Sequence, residues 1–225
     1  MDTRVDPTAE IEPGVTIGSG TAVWAHVHLR GPGTRLGVDC IVGERTYVAY
    51  GVEIGDRVKL NAGVYVCTGV TLGTGVLVGA GVVFTNDRYP RATTPDLATL
   101  RPSEPDDHTL PTMVADGATI GAGSVIGCDL TIGRFAMVGM GAVVTRSVAP
   151  FHLVVGQPAR PVAIVSRAGD PSLIASTRES RTESGEMSAL RVMGHNTAQV
   201  EPEQDFSAWA KAYPAAGFAP SDAAR

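Results

Sequence analysis

An aliphatic side chain returns every sixth residue along most of this chain, and that interval settles what it can fold into. The series runs Ile11, Ile17, Val23 and Leu29. One extra residue intervenes at Arg35, and Leu36, Val42, Val48, Ile54, Leu60, Val66, Leu72, Val78 and Phe84 follow. After a break, Val114, Ile120, Ile126, Ile132, Val138 and Val144 resume it. A fixed period this short is the mark of a hexapeptide β-helix.

The register carries internal checks. Glycine often follows the aliphatic, as at Gly18, Gly37, Gly55, Gly79, Gly121 and Gly139. The fifth residue of each hexad is small or β-branched, as at Thr21, Cys40, Thr46, Val58, Ser124 and Ala142, with Leu130 the one large exception. A triangular prism of short parallel strands needs this. The first position fills the interior, the fifth faces a tighter part of it, and glycine relieves crowding at the corners. β-Branched residues suit the flat strands between. Three hexads make one turn of about 18 residues, turns stack at ~4.8 Å, and the two runs predict roughly six turns.

The totals bound the rest. At 225 residues the chain is expected to be one long domain with appendages, and a solenoid buries its core by stacking. Net charge is −5 and the pI is near 5.5, which points away from nucleic acid and anionic membrane surfaces. No apolar run approaches ~18 residues. The opening residues lack the form of a signal peptide, so a cytoplasmic location is the expectation. Three cysteines without metal-ligand spacing are expected to be structural. Cys40 falls at an inward fifth position, and Cys67 and Cys128 at outer positions as free thiols.

Residues 1–165 are expected to form the β-helix domain, with 1–10 leading in. Residues 86–113 interrupt the rhythm with Pro90, Pro95, Pro102, Pro105 and Pro111. An insertion of that length is usually functional or mobile. Val155 to Arg160 closes the prism. Residues 166–225 form a C-terminal extension, partly helical around Phe206, Trp209, Ala210 and Tyr213 and otherwise polar and disordered.

The period also stacks residues. At the same phase, 18 apart, Val23, Val42, Leu60 and Val78 share one face, and Leu29, Val48, Val66 and Phe84 the next. Between them come the columns His28, Tyr47, Tyr65, Val83 and Gly31, Tyr50, Thr68, Asn86. Large polar side chains gathered at one corner mark a site or a subunit interface. His28 lies three turns from Asn86, ~14 Å along the axis, so the two cannot share a substrate atom within one subunit. His26, His108, His152 and His195 are weaker candidates for a base. In the last coils Arg134, Arg146, Arg160 and Arg167 face a single acid, Asp129, and arginine there suits phosphates. Gly73-Thr-Gly75 and Gly121-Ala-Gly123 are hexads and not a dinucleotide fingerprint.

The segment Val82-Val-Phe-Thr-Asn-Asp-Arg-Tyr-Pro-Arg91 resembles the signature of N-acyltransferases that modify nucleotide-linked 3-amino sugars. Val23-Trp24 through Leu29, Ile54 to Lys59 with Asn61, and Val138 to Arg146 are similar to further motifs of those enzymes, so the resemblance covers residues 11–165. It implies a left-handed parallel β-helix, all-β. It also implies a homotrimer with sites between neighbouring prisms, and acetyl-CoA or another acyl-CoA as co-substrate with no metal. By the same resemblance Asn86 contacts the acceptor amine, no strong protein base is needed, and CoA lies along the groove towards the later coils. Ala25, Thr68 and Gly73-Thr74 depart from the pattern, which carries histidine or acids there. The acceptor, and whether it is nucleotide-linked, is therefore open.

An amine attacking a thioester needs close approach, a neutral nucleophile, a held oxyanion and a proton sink. Asn86 accepts from the amine, and Asp87 either assists or caps the loop. His28, Tyr65, Thr68, Arg88 and Arg91 are the candidate contacts to the acceptor. Backbone N–H groups near Gly81 or Gly123 are candidates for the thioester oxygen, and Arg134, Arg146 and Arg160 for the cofactor phosphates. Two other readings stand beside this one: a catalytically silent β-helix scaffold, and a γ-class carbonic anhydrase, which needs three zinc-binding histidines.

Overall fold

A computed structural model describes residues 2–174. Those residues form a three-faced parallel β-solenoid without an α-helix. Most strands are two residues long, because each hexad supplies one short flat segment and one corner. The first face stacks Arg4–Val5, Ala22–Val23, Ile41–Val42, Lys59–Leu60, Leu77–Val78, Thr119–Ile120, Met137–Val138 and His152–Gly156. The second stacks Glu10–Ile11, His28–Leu29, Tyr47–Val48, Tyr65–Val66, Val83–Phe84, Val125–Ile126 and Val143–Val144. The third runs from Thr16–Ile17 to Leu130–Ile132. The eight parallel levels of the first face make about eight coils, more than the six expected. The extra levels come from Val5, in the segment expected to lead in, and from Val154, which stacks beyond the last hexad.

The interior follows the hexad rule. Leu29, Val48, Val66, Val78, Ile120, Ile126 and Ile132 are completely covered, and so are the fifth-position Val52, Val82, Ala118 and Ala142. Buried hydroxyls at the fifth position are satisfied from the coil above. Thr21 Oγ1 donates to Gly37 O (2.9 Å), Thr46 Oγ1 to Asn61 O (3.0 Å) and Ser124 Oγ to Gly139 O (3.0 Å). Each such bond contributes about 1 kcal/mol, and more is lost if the carbonyl is orphaned. Cys40 is the sulfur counterpart, its thiol on Gly55 O at 3.1 Å.

Two separate demands shape the corners. The residue after the aliphatic lies under the next coil: a Cβ at Gly79 would sit 2.4 Å from Ala122 N. The residue two further on takes a left-handed conformation. That place is held by His26, Asp39, Arg45, Arg57, Asp129 and Phe135, with φ of 53 to 58°, as well as by glycines such as Gly81.

The last parallel coil is followed by antiparallel strands that continue past residue 165. His152–Gly156 turns back into Ala159–Val165, and Pro171–Ile174 adds antiparallel to that strand. The extension thus begins as part of the sheet. His195 and the segment Phe206 to Tyr213 lie outside the described residues. Among the described residues no helix is long and apolar enough to cross a membrane.

Candidate functional site

The second face and the corner after it hold the polar side chains that the stacking brought together. Register places His28 beside Tyr47, Tyr47 beside Tyr65 and Tyr65 beside Val83. The two tyrosine rings stack at 5.0 Å and 7°, and the His28 ring meets Tyr47 edge-on at 5.5 Å. In the corner column Thr68 Oγ1 donates to Tyr50 O at 3.2 Å, and Asn86 Nδ2 donates to Thr68 O at 3.2 Å. A carbonyl only accepts, so Thr68 fixes which end of the Asn86 amide faces it. The Asn86 side-chain oxygen is left as an acceptor.

The loop that starts at Asn86 is folded and anchored. Leu110 N–H donates to Asn86 O at 2.7 Å and closes its base. Asp87 is the turn cap of the two alternatives: its Oδ1 accepts from Tyr89 N–H at 2.7 Å, and its Oδ2 lies 3.7 Å from Arg101. Arg88 reaches upward to Asp129 at 2.9 Å, which accounts for the single acid of the last coils. Arg91 is exposed and donates to its own neighbour's carbonyl, Pro90 O. Residues 93–100 form a tight antiparallel turn, and Tyr50 OH touches Ser103 O at 3.5 Å, so the loop lies back along the corner.

His28 is not a spare base. Its Nε2 lies 2.9 Å from Glu12 Oε1, which also accepts from Arg30 Nε at 2.9 Å, while Glu12 Oε2 takes Gly31 N–H at 3.0 Å. The Gly31 bond, then His28 and Arg30, hold the Glu12 carboxyl below its usual range. Glu12 and Arg30 escaped the sequence reading, although they stand 18 apart. Arg101 escaped it too, since the loop has no period. His108 is exposed. His152 is buried at the closing turn, its Nδ1 on Pro150 O, and burial pushes its pKa down.

The residues expected to hold the cofactor do not converge within one chain. Gly81 and Gly123 lie on the corner between first and second faces, across the second face from Asn86. Their N–H groups donate to Ala62 O and Ala80 O, so neither is available for an oxyanion. Beyond both glycines a Cβ would meet nothing within 4 Å, so this corner is an open strip of backbone. Arg134 sits on a different corner, over the stacked rings of Phe135 and Phe151, with Arg167 also over Phe135. Arg146 follows the second face, and Arg160 lies on the terminal hairpin. The basic last coils are thus spread over the prism and form no single patch.

Cys67 and Cys128 are buried rather than outer, at 4 and 8% exposure. Burial pushes the Cys67 thiol up to about 12 and raises that of Cys128 as well. Since the thiolate is the reactive form, the folded protein should leave Cys67 unmodified by a thiol reagent at pH 8. Labelling of all three cysteines should require denaturant; rapid labelling of Cys67 in native protein would contradict the burial. Among the described residues no group of three or more His, Cys, Asp or Glu is placed to hold a metal ion.

Comparison with known proteins gives the repeat its family context. The model of the bacterial transferase hexapeptide (six repeats) matches residues 51–86, and that of the hexapeptide repeat of succinyl-transferase matches 33–67 and 111–146. Both coil runs therefore match hexapeptide-repeat models. The dTDP-3-amino-3,6-dideoxy-alpha-D-galactopyranose 3-N-acetyltransferase of Aneurinibacillus thermoaerophilus is 53% identical over 49 residues, 22% of this chain and 26% of its own length. The chain thus matches about a quarter of the length of its curated relatives. PerB from Caulobacter crescentus, crystallised with CoA and GDP-perosamine, is similar at 21% identity and a TM-score of 0.45, over 72% of this chain and 57% of that one. A mutant of AntD, an N-acyltransferase from Bacillus cereus, in complex with dTDP and coenzyme A, is similar at 19% identity and a TM-score of 0.46, over 71% of this chain and 79% of that one.

Proposed function

We propose that this hexapeptide-repeat chain is an acyl-CoA-dependent N-acyltransferase that acetylates the amino group of a nucleotide-linked amino sugar. The observation that carries the reading is the Asn86 amide. It is tied by its nitrogen to Thr68 O, which leaves its oxygen as the acceptor at the residue where the long loop starts. That oxygen accepts an N–H of the incoming amine and turns the nitrogen lone pair towards the thioester carbon. The C–N bond forms, the C–S bond breaks, and the departing sulfur takes the amine proton. Positioning supplies most of the acceleration, so no strong base is required. Asp87 acts on the loop rather than on the proton, since its carboxylate is already engaged. The likeness of 49 residues of the chain to the Aneurinibacillus sugar N-acetyltransferase supports the acceptor class.

In this reading the protein is a homotrimer. Asn86 and the open strip at Gly81 and Gly123 lie on opposite edges of one face, so one copy's acceptor corner meets its neighbour's strip. CoA runs there, its pantetheine against backbone and its phosphates towards arginines such as Arg146 and Arg160. The stacked Tyr65 and Tyr47 form a flat surface one and two coils below Asn86 for the rest of the acceptor. Its location is the cytoplasm, where acyl-CoA is available.

The test is to mix the protein with acetyl-CoA and a panel of nucleotide-linked amino sugars and follow free thiol. Turnover with at least one amine is expected. A protein that binds CoA but acylates no amine would instead support the scaffold reading, and one that does neither ends the proposal.

A further inference from the structure

One side chain, Arg101, bridges the departing and returning limbs of the loop over the candidate site. Arg101 Nη2 donates to Asp106 Oδ2 at 3.1 Å on the returning limb, and its Nη1 lies 3.7 Å from Asp87 Oδ2 on the departing limb. Its side chain is 23% exposed, although the residues around it in the loop are mostly open to solvent. Both carboxylates are themselves fixed. Asp87 caps Tyr89 N–H, while Asp106 Oδ1 accepts from His108 N–H at 2.8 Å. The Asp106 N–H donates to Thr109 Oγ1 at 3.0 Å, and the next residue, Leu110, donates to Asn86 O. One guanidinium therefore ties together the residue after Asn86 and the segment that holds the Asn86 carbonyl. A planar fork with separate N–H groups can bridge two carboxylates in fixed directions, whereas an ammonium is a point charge on a flexible stem.

We propose that Arg101 is a positioning residue for the amine-acceptor site. It joins the two limbs of the 86–110 loop and so holds the backbone that aims the Asn86 amide, without touching the acceptor. This rests on the N-acyltransferase reading above. Arg101 does not extend the stacking columns, and its role follows only from the loop's fold.

The experiment compares full-length wild type, Arg101→Gln, Arg101→Lys and, as a surface control, Lys59→Gln. It reads steady-state kinetics and hydrogen exchange of the loop amides. Arg101→Gln is expected to raise the KM for the amine or lower kcat by about tenfold in combination, since small misplacements at a reacting centre are costly. The KM for acetyl-CoA should stay within about twofold, because uniform binding of the donor is untouched. Exchange at Tyr89 and Leu110 should quicken while exchange in the coils is unchanged, and Arg101→Lys should recover only part of both effects. Wild-type kinetics and wild-type loop exchange in Arg101→Gln would overturn the assignment while leaving the enzyme reading intact. So would equal loss of both KM values together with faster exchange throughout the coils. Absence of turnover in wild type would instead remove the reading on which the assignment rests.

Discussion

Asn86→Ala should lower kcat/KM for the amine by about a hundredfold, roughly 2.7 kcal/mol of transition-state stabilisation, with CoA binding unchanged. The reason is geometric. The amide is held by one bond to Thr68 O, so its oxygen points one way before the acceptor arrives. Alanine leaves the amine to find its own orientation against a thioester that gains nothing from the change. Asn86→Asp is the sharper variant. A carboxylate cannot donate to Thr68 O, so the side chain must turn away from a carbonyl it repels, and activity should fall at least as far. Both variants should melt within a few degrees of wild type, because Asn86 lies outside the hydrophobic core, and the Leu110 bond uses its backbone. Undiminished kcat/KM in Asn86→Ala would move the reacting centre elsewhere on the molecule.

Periodicity made some of this legible and hid the rest. Phase arithmetic placed His28, Tyr47 and Tyr65 in one column and Asn86 above Thr68, because an 18-residue turn is a statement about geometry. The same arithmetic separates the basic residues. Arg146 and Arg134 differ by 12 positions, two thirds of a turn, so they belong to different corners. Counting charge along the chain ignored that phase. Cys67 was misplaced for another reason. Its hexad position follows the aliphatic, where coils close over one another whichever way the side chain points, as Gly79 shows by having no room for a Cβ. Cys128 is covered near the loop start, close enough for Asp87 and Arg88 to act on its thiol. The Arg101 bridge joins residues 14 apart on one side and 5 on the other. No repeat links those positions, so only the folded loop reveals it.

Phe84→Ala should destabilise the protein by about 3–5 kcal/mol. Phe84 is the largest of the fully buried side chains, in an interior otherwise filled by valine, isoleucine, leucine and smaller residues. Its strand is two residues long and pairs with Tyr65 on one side and with Val125 and Ile126 on the other. With so few ladder bonds per rung, packing along the axis is what holds consecutive coils in register. A solenoid's stability is close to a sum of neighbour interfaces, and a cavity in the middle weakens two at once. Phe84→Leu keeps most of the volume and should cost less than about 1.5 kcal/mol. Urea unfolding of the two variants measures the difference. Phe84 also lies two residues before Asn86, so the alanine variant should quicken loop exchange before the coils unfold. A loss below about 1 kcal/mol would mean that neighbouring side chains collapse into the space. The anchoring of the site would then come from the loop's ion pairs rather than from the core beneath it.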